Sequence, residues 1–255
     1  MLMVISPAKS LDFTAPDTVL PLTTPELKPQ IAELAKLARK LTAADLRRLM
    51  HISEKLADLN HARFQAFDCQ VEEGLQAVIA FNGDVYGGLA ARELDRPALE
   101  WAQDHLRILS GLYGVLRPFD ALQPYRLEMG VRLKTKRGAT LYDFWGETIA
   151  KTLNAAARDQ ADPTLVNLAS QEYFGSVDAK ALKLPLVTCH FKEETAGALK
   201  VLGFYAKKAR GRMVRYAIDQ RIDRAEGLKA FDLDGYGFRP ALSTPGDWVF
   251  TRPHP

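Results

Sequence analysis

The sequence predicts a mixed α/β (α+β) fold in which one mixed β-sheet is flanked by helices, in a single compact unit of 255 residues. Two observations support this fold class. Short apolar runs of strand length are interspersed with longer segments whose apolar residues recur at helical spacing. No linker or internal repeat divides the chain, so we expect one domain over 1–255, with 25–67 as a candidate helical-hairpin subdomain.

The first part of the chain is predicted to contain a strand at 2–6, a long helix from about 25, and two shorter helices at 42–50 and 54–67. Pro7 ends the strand, because proline cannot donate to a β-ladder. Thr42 and Ser53 are typical N-cap residues for the two shorter helices. With their short connection, these helices have the outline of a helical hairpin.

The rest of the chain is predicted to contain strands at 76–81, 165–169, 184–191, 199–205 and 248–251, and helices at 98–109, 142–158 and 206–221. The run QAVIAF at 76–81 is almost continuously apolar, as expected of a buried strand. The runs 184–191 and 199–205 are separated by a polar turn that contains Gly197, which predicts a β-hairpin.

The composition is that of an ordinary globular protein, with 47% hydrophobic and 25% charged residues. A formal net charge of +3 does not imply a polyanionic partner unless the cations are concentrated locally. No apolar run is long enough to cross a membrane, and the N-terminus lacks the basic segment of a signal peptide. Cys69 and Cys189 have no metal-like spacing, so we predict a reduced, cytoplasmic setting without a metal or other cofactor.

Cations are concentrated in two segments of the sequence. The first segment, 107–145, combines glycine and proline turns with Arg117, Arg126, Arg132, Lys134, Lys136 and Arg137. The second segment is the predicted helix at 206–221, which contains Lys207, Lys208, Arg210, Arg212 and Arg215. Like charges at this spacing repel one another, and an anionic partner would relieve the repulsion. The alternative is a solvated helix face and a basic surface loop. If the two segments converge, they predict a groove lined for phosphates.

Polar residues also follow several predicted strands. Lys9 comes after the first strand, Asp84 after the run at 76–81, and Glu172 after the strand at 165–169. Open α/β sheets bind ligands at such strand ends, which predicts one shared pocket. Its further candidate members are Ser110, Tyr113, Arg117 and Asn167.

In such a pocket Lys9 would act as a nucleophile or phosphate ligand, and Asp84 as a general base. The alternative for both residues is turn chemistry and a surface ion pair. The sequence contains no recognised catalytic motif, so the residues alone do not name a reaction.

Seven motifs spread along the chain resemble those of the bacterial YaaA family of peroxide stress resistance proteins. In order they are ISPAKSLDF, LMHISEKLADLN, FNGDVYGGL, LRILSGLYGVLRPFDALQPYRLEMG, LYDFW, NLASQEYF and FYAKKARG. The resemblance extends from residue 1 to about residue 250.

This resemblance implies an unusual mixed α/β fold with a positively charged cleft and a helix-hairpin-helix motif. It also implies a cytoplasmic DNA-binding protein that helps bacteria survive hydrogen peroxide by limiting oxidative DNA damage and free intracellular iron. The expected partner is double-stranded or structurally distorted DNA, with no membrane and no obligate protein partner. The helix-hairpin-helix would lie at 42–67 or, alternatively, at 109–114. An enzyme acting on nucleic acid or a nucleotide is the alternative function.

Overall fold

The computed structural model describes residues 1–16, 20–68, 73–195 and 197–254. The strands are β1 Leu2–Ile5, β2 Ser10–Leu11, β3 Leu75–Gln76, β4 Phe81–Asn82, β5 Leu106–Ser110, β6 Gly114–Leu116, β7 Ala121–Leu122, β8 Leu165–Leu168, β9 Leu186–Thr195, β10 Ala198–Lys200, β11 Gly237–Phe238 and β12 Asp247–Pro253. The α-helices are α1 Lys28–Ala38, α2 Ala43–Met50, α3 Glu54–Ala66, α4 Ala77–Ala80, α5 Asp84–Leu89, α6 Arg96–His105, α7 Leu141–Trp145, α8 Thr148–Ala156, α9 Gln171–Phe174 and α10 Gly203–Asp219. Short 3-10 helices span Ala91–Glu93, Ala225–Ala230, Leu233–Gly235 and Pro240–Leu242.

The main sheet is mixed, which confirms the predicted fold class. Its strand order is β11-β12-β9-β8-β1-β5-β6, and β10 pairs with the end of β9. The strands from β5 through β1, β8 and β9 to β12 run parallel, whereas β6, β10 and β11 are antiparallel to their neighbours. All of β1 is buried, as expected of a central parallel strand that is covered on both faces.

The winding of the chain reverses at the centre of this sheet. After β1 the chain crosses to β5 on one side, and after β8 it continues to β9 on the other side. Because β1 and β8 are neighbours, the crevice outside their carboxyl ends is the topological switch point of the sheet. Ser6 and Ser170, which follow the two strands closely, therefore lie where open α/β sheets bind ligands.

The predicted strand at 76–81 is wrong in its central part. Residues Ala77–Ala80 form the one-turn helix α4, with the short strands β3 and β4 at its two ends. The whole turn is buried, so its helix has no polar side. A continuous apolar run has no period with which to separate a buried helix from a buried strand.

Several other predicted boundaries also need correction. The helix predicted at 98–109 ends at His105, and the next residues form the buried strand β5. The helix predicted at 142–158 is two helices, because Gly146 has a left-handed φ of 46° between them. The predicted strand at 199–205 ends at Lys200, and α10 begins at Gly203.

The predicted helical hairpin is present as α2 and α3. Thr42 and Asp45 form a capping box at the start of α2, with each side chain accepting the other residue's backbone N–H. In the connection, the backbone N–H groups of His51 and Ile52 both donate to the carbonyl oxygen of Arg47. Both turn amides are therefore occupied by hydrogen bonds to the last turn of α2. That this hairpin binds DNA as a helix-hairpin-helix stays a prediction. The alternative segment at 109–114 is not helical, because it forms the antiparallel turn between β5 and β6.

Helices α5 and α10 cross with their backbones in contact. A Cβ atom added to Gly88 would lie 2.2 Å from the carbonyl oxygen of Lys208, and one added to Gly211 would lie 1.8 Å from that of Val85. Only glycine allows so close an approach at both positions. The contact brings the start of α5, with Asp84, beside Lys207 on α10.

Candidate functional site

A cavity of about 400 Å³ opens at the switch point, and we call it the switch-point cavity. Pockets that bind small molecules have volumes of about 300–1,000 Å³. The loop after β1, the start of α5, the segment after β8 and α10 line this cavity. The polar side chains that they contribute include Ser6, Lys9, Asp84, Ser170, Glu172, Lys207 and Arg210.

Hydrogen bonds hold the floor of this cavity together. The backbone N–H of Ser170 donates to Ser6 Oγ at 2.8 Å, and the two serine hydroxyls are 3.2 Å apart. The Tyr86 hydroxyl donates to the Ser6 carbonyl oxygen at 3.1 Å. The ends of β1 and β8 are therefore tied to each other and to α5.

A second group of charges surrounds Lys9. Its Nζ lies 3.1 Å from Glu128 Oε1, which also accepts a hydrogen bond from Arg126 Nη2 at 2.9 Å. Burial alone would raise the pKa of Glu128, but the hydrogen bonds and charges of Arg126 and Lys9 outweigh burial and lower it. Nearby, Glu172 Oε1 accepts the backbone N–H of Gly130 at 3.0 Å. Lys9 is thus an exposed side chain that lines the cavity and pairs with Glu128.

A neighbouring cavity of about 480 Å³ shares Lys9 and Glu172 with the switch-point cavity. It is also lined by Arg132 and by Arg48 and His51 at the α2–α3 connection. We call the surface lined by these two adjacent cavities the basic cleft. Its cations are Lys9, Arg48, Arg132, Lys207 and Arg210.

Arg210 differs from the other arginines of α10. Its Nε is buried and has no hydrogen-bond partner within the described ranges, and none of the ion pairs found there includes it. Burial lowers the pKa of Arg210, and the buried Cys189 thiol is the one opposing influence. By contrast, Arg212 pairs with Asp234 at 3.2 Å and Arg215 with Asp219 at 2.9 Å.

Other predicted DNA contacts are also held by carboxylates of the protein. Arg117 Nη2 lies 2.8 Å from Asp120 Oδ1 and Arg126 pairs with Glu128, while Arg137 lies 2.6 Å from Glu33 Oε2. Lys134 and Lys136 are exposed. They line a separate cavity of about 760 Å³ with Lys36 and Lys40. Lys208 is exposed on α10.

The structure divides the predicted pocket residues. Lys9, Asp84 and Glu172 line the switch-point cavity together. The others have different surroundings. Ser110 Oγ lies 2.6 Å from the Tyr125 hydroxyl, the Tyr113 hydroxyl accepts the Gln123 N–H, Arg117 binds Asp120, and Asn167 Oδ1 accepts the Ala169 N–H.

Sequence reasoning missed the two serines and did not connect Lys207 or Arg210 with this cavity. A signal for the serines was available, because each closely follows an apolar strand run at a sheet edge where ligands bind. No comparable signal identified Arg210, because its distinction from Arg212 depends on carboxylates that are remote in sequence.

The cysteines and metal-binding side chains add little to this site. Burial raises the pKa of Cys189 to about 12, and Cys69 lies outside the described residues. In the part of the chain that the structure covers, no group of three or more His, Cys, Asp and Glu side chains is arranged to hold a metal ion. In the same part, every helix is too short or too polar to span a membrane.

Comparison with known proteins identifies the family. A sequence model described as peroxide stress protein YaaA matches residues 1–242. The chain belongs to the YaaA family. It is 86% identical over 255 residues to a UPF0246 protein of Caulobacter sp. strain K31, covering 100% of both chains. It is 66% identical over 255 residues to a UPF0246 protein of Phenylobacterium zucineum, covering 100% of this chain and 96% of that one. This membership supports a role in the peroxide stress response.

Four of the motifs that carry the YaaA-family resemblance meet at the switch-point cavity. ISPAKSLDF supplies Ser6 and Lys9, and NLASQEYF supplies Ser170 and Glu172. FNGDVYGGL supplies α5 with Asp84, and FYAKKARG supplies Lys207 and Arg210 on α10. Four of the seven motifs thus contribute side chains to the sheet edge where the topology predicts a ligand site.

Proposed function

We propose that this chain is a cytoplasmic DNA-binding protein of the peroxide stress response, which holds the phosphates of double-stranded or structurally distorted DNA in the basic cleft. The observation that carries this proposal is that Lys9 lines one cavity with Arg132 and a second cavity with Arg210, so cations from three remote parts of the sequence lie around two adjacent cavities. Such cations contact phosphates and position a duplex without reading its sequence. Bound protein would shield the DNA and limit its oxidative damage.

The cations available to DNA are fewer than the basic residues of the two segments. Arg132, Lys134, Lys136 and Lys208 are exposed, and no ion pair was found for any of them in the described ranges. Arg117, Arg126, Arg137, Arg212 and Arg215 already have carboxylate partners. A phosphate would have to compete with those partners. We therefore expect Arg132 to contribute more to DNA affinity than Arg117 or Arg126 does.

Salt dependence tests this mode of binding. Each phosphate contact contributes a slope of about −0.7 to −0.9 in log affinity against log salt concentration. Fluorescence anisotropy with duplex, bulged and single-stranded oligonucleotides, from low to physiological salt, measures that slope. Arg132→Gln should weaken binding to all sequences alike and make the slope shallower by about 1.

Arg96→Gln is the matched control, because Arg96 is an exposed arginine on α6 that pairs with Glu100 away from the cleft. Its DNA affinity should equal that of the unmodified protein. Absence of binding even at low salt would refute DNA binding. Equal effects of Arg132→Gln and Arg96→Gln would refute the cleft as its location.

The second candidate is an enzyme that acts on nucleic acid or a nucleotide in the switch-point cavity. It is favoured by a specific observation, that Lys9, Asp84 and Glu172 line this one cavity. Asp84 is the candidate general base. Lys9 Nζ lies 3.1 Å from Glu128 Oε1, and this contact would have to break before the nitrogen could attack a substrate. Lys9 is therefore a better phosphate ligand than nucleophile.

Activity is tested by incubating the protein with lesion-bearing duplex DNA and with nucleotides, followed by chromatography for released base and gels for strand cleavage. Asp84→Asn should lower any turnover by about 100-fold or more, the usual contribution of a general base. Asp159→Asn, at an exposed position after α8, is the control. Absence of turnover with every substrate would eliminate the enzyme and leave DNA binding standing.

We also propose, from the family resemblance alone, that the protein lowers free intracellular iron. Electron paramagnetic resonance of chelated iron in peroxide-treated cells measures this quantity. A strain that lacks the protein should hold more free iron than one that produces it. Complementation with Arg132→Gln shows whether the effect requires DNA binding. Equal iron in the deletion and parent strains would refute this part of the proposal.

A further inference from the structure

Among the residues that the structure describes, no carboxylate forms an ion pair with Arg210. Its Nε is buried and unpartnered within the described residues. Arg126 and Arg212 also have an unpartnered buried Nε, but each has a carboxylate partner through Nη2. A partly buried cation without an anion is costly, because burial removes its hydration and nothing replaces it. An anionic ligand in the adjoining cavity would supply the missing charge.

The surroundings of Arg210 define where that anion would lie. Arg210 lines the switch-point cavity together with Lys207 and the hydroxyl-bearing Ser6 and Ser170. Lys207 Nζ is 3.7 Å from Asp84 Oδ2, which is beyond hydrogen-bonding distance. This loose pair leaves Lys207 able to turn towards a second anion. Arginine and lysine together with hydroxyl groups are the side chains that bind phosphate oxygens.

The same cavity also contains acidic side chains. Asp84 and Glu172 offer carboxylate oxygens, which accept hydrogen bonds from hydroxyl and amino groups. A ligand that fits must therefore have an anionic group at one point and several hydrogen-bond donors at another. A nucleoside monophosphate has both, and a cavity of about 400 Å³ is within the range that holds a molecule of this size.

We propose that the switch-point cavity binds the phosphate monoester of a single nucleotide, with the phosphate on Arg210 and Lys207 and the ribose or base donors on Asp84 and Glu172. This proposal rests on the second candidate function, because it names the ligand of that cavity. It does not require DNA to occupy the rest of the cleft. The nucleotide is either free or the 5′-phosphorylated end of a strand, since both present the same monoester.

Isothermal titration calorimetry on the full chain tests the site with adenosine monophosphate, adenosine and inorganic phosphate. Adenosine monophosphate should bind about 10-fold or more tightly than adenosine, because charge-assisted hydrogen bonds to the phosphate are lost in the nucleoside. It should also bind more tightly than inorganic phosphate, which cannot reach the carboxylates. Equal affinities for the nucleotide and the nucleoside, together with equal affinities for strands that end in a 5′-phosphate and in a 5′-hydroxyl, would overturn the proposal.

The variants assign the phosphate to Arg210. Arg210→Gln should lower the affinity for adenosine monophosphate by about 10-fold or more, and Arg210→Lys by less, because it keeps the charge. Lys200→Gln is the matched control. Lys200 is an exposed cation on β10, and it is not among the described residues that line either cavity of the basic cleft. Circular dichroism confirms that each variant is folded. Unchanged affinity in Arg210→Gln would overturn the assignment.

Two short oligonucleotides, with a 5′-phosphate or a 5′-hydroxyl, distinguish the sources of the monoester. Tighter binding of the phosphorylated strand, without binding of the free nucleotide, supports the site and identifies a strand end as its ligand. If adenosine monophosphate binds but no substrate is turned over, the nucleotide site is supported and the enzyme hypothesis is refuted. If neither adenosine monophosphate nor the 5′-phosphate end of a strand binds, while duplex DNA still does, the nucleotide site is refuted and DNA binding stands.

Discussion

Arg117 and Arg210 are partly buried arginines from the two basic segments of the sequence, and their guanidinium groups differ in their polar partners. The Nε and Nη2 groups of Arg117 donate to Asp120 Oδ1 at 3.0 and 2.8 Å, and Nη2 also donates to the Thr24 carbonyl oxygen. Asp120 itself is fully buried and accepts the Thr23 hydroxyl. Arg210 has a buried Nε without a partner in the described part of the chain, and it faces a cavity.

The difference separates two uses of a cation. Arg117 links the loop before α1 to the turn after β6, because it binds Thr24 and Asp120 at once. Its charge is neutralised inside the protein, so it contributes to stability. The charge of Arg210 has no ion pair within the described ranges, which is why we propose that it binds a ligand. A high density of basic residues in a sequence therefore does not tell which of them a ligand can use.

The largest expected effect comes from breaking the Arg117 pair at its buried end. Asp120→Ala removes the buried carboxylate and, among the described residues, leaves the guanidinium of Arg117 with the carboxylate of Glu26 alone, whose Oε1 lies 3.6 Å from Nη1. The variant also leaves the Thr23 hydroxyl and the Arg117 backbone N–H without their buried acceptor, so we expect a total cost of about 3–5 kcal/mol in the free energy of unfolding. Urea unfolding followed by circular dichroism measures this cost.

Glu147→Ala is the matched control for Asp120→Ala, because Glu147 pairs with Lys151 on the surface of α8. Exposed pairs of this kind contribute about 0–1 kcal/mol. A similar small cost for both variants would mean that Arg117 and Asp120 are not a structural pair. The assignment of Arg117 to stability would then be wrong.

The next largest effect is expected at the contact of α5 with α10, which places Arg210 in the cavity wall. Gly88→Ala puts a methyl group 2.2 Å from the Lys208 carbonyl oxygen, so the helices must separate. Such overpacking costs about 1–3 kcal/mol. The same separation would also move Lys207 away from Asp84.

Gly87→Ala is an unusually close control, because a Cβ atom at the neighbouring position meets nothing within 4 Å. Alanine is a better helix former than glycine, so this variant should gain about 0.5–1 kcal/mol. Thermal unfolding of both variants gives opposite signs if the helix contact is as described. A loss in Gly87→Ala as large as in Gly88→Ala would contradict it.

The elements with strong local signals were predictable from the sequence. Thr42 and Ser53 mark the starts of α2 and α3 because capping depends on residues three positions apart. The strands β1 and β8 were predicted because short apolar runs before turns are strand-like. The helix at Ala77–Ala80 was missed because burial on all sides removes the period that would identify it.

The candidate site was predictable only in part, for a physical reason. Lys9, Asp84 and Glu172 follow apolar runs, and strand ends of a parallel sheet meet at one edge. The partners of Arg137 and Arg212 could not be predicted in this way. Glu33 and Asp234 are far from them in sequence, and only the tertiary fold brings these charges together.

A smaller effect on stability is expected from removing the charge of Arg210 itself. Arg210→Gln takes away a partly buried cation for which the described residues provide no ion pair, so the free energy of unfolding should change by less than about 1 kcal/mol or rise. Arg117→Gln should instead lose about 1–3 kcal/mol, because it leaves Asp120 buried without its main partner. Urea unfolding of the two variants side by side compares them. Equal losses would remove the distinction between the two arginines.

The smallest effect is a dependence on pH at Glu128, whose carboxylate binds both Arg126 and Lys9. Its burial is outweighed by these two cations, so its pKa in the folded protein is lowered. The unfolded chain then binds more protons than the folded one near the ordinary glutamate pKa of about 4.3, and stability falls as pH falls. The stabilising contribution of Glu128 is therefore present at neutral pH and lost in acid.

Glu128→Gln should be less stable than the unmodified protein at pH 7, with a difference that shrinks towards about pH 3. In the control Glu147→Gln, whose exposed pair contributes little, the difference should stay near zero at every pH. A difference for Glu128→Gln that is constant with pH would mean that Glu128 has the same pKa in the folded and unfolded chains, so that Arg126 and Lys9 do not stabilise its carboxylate.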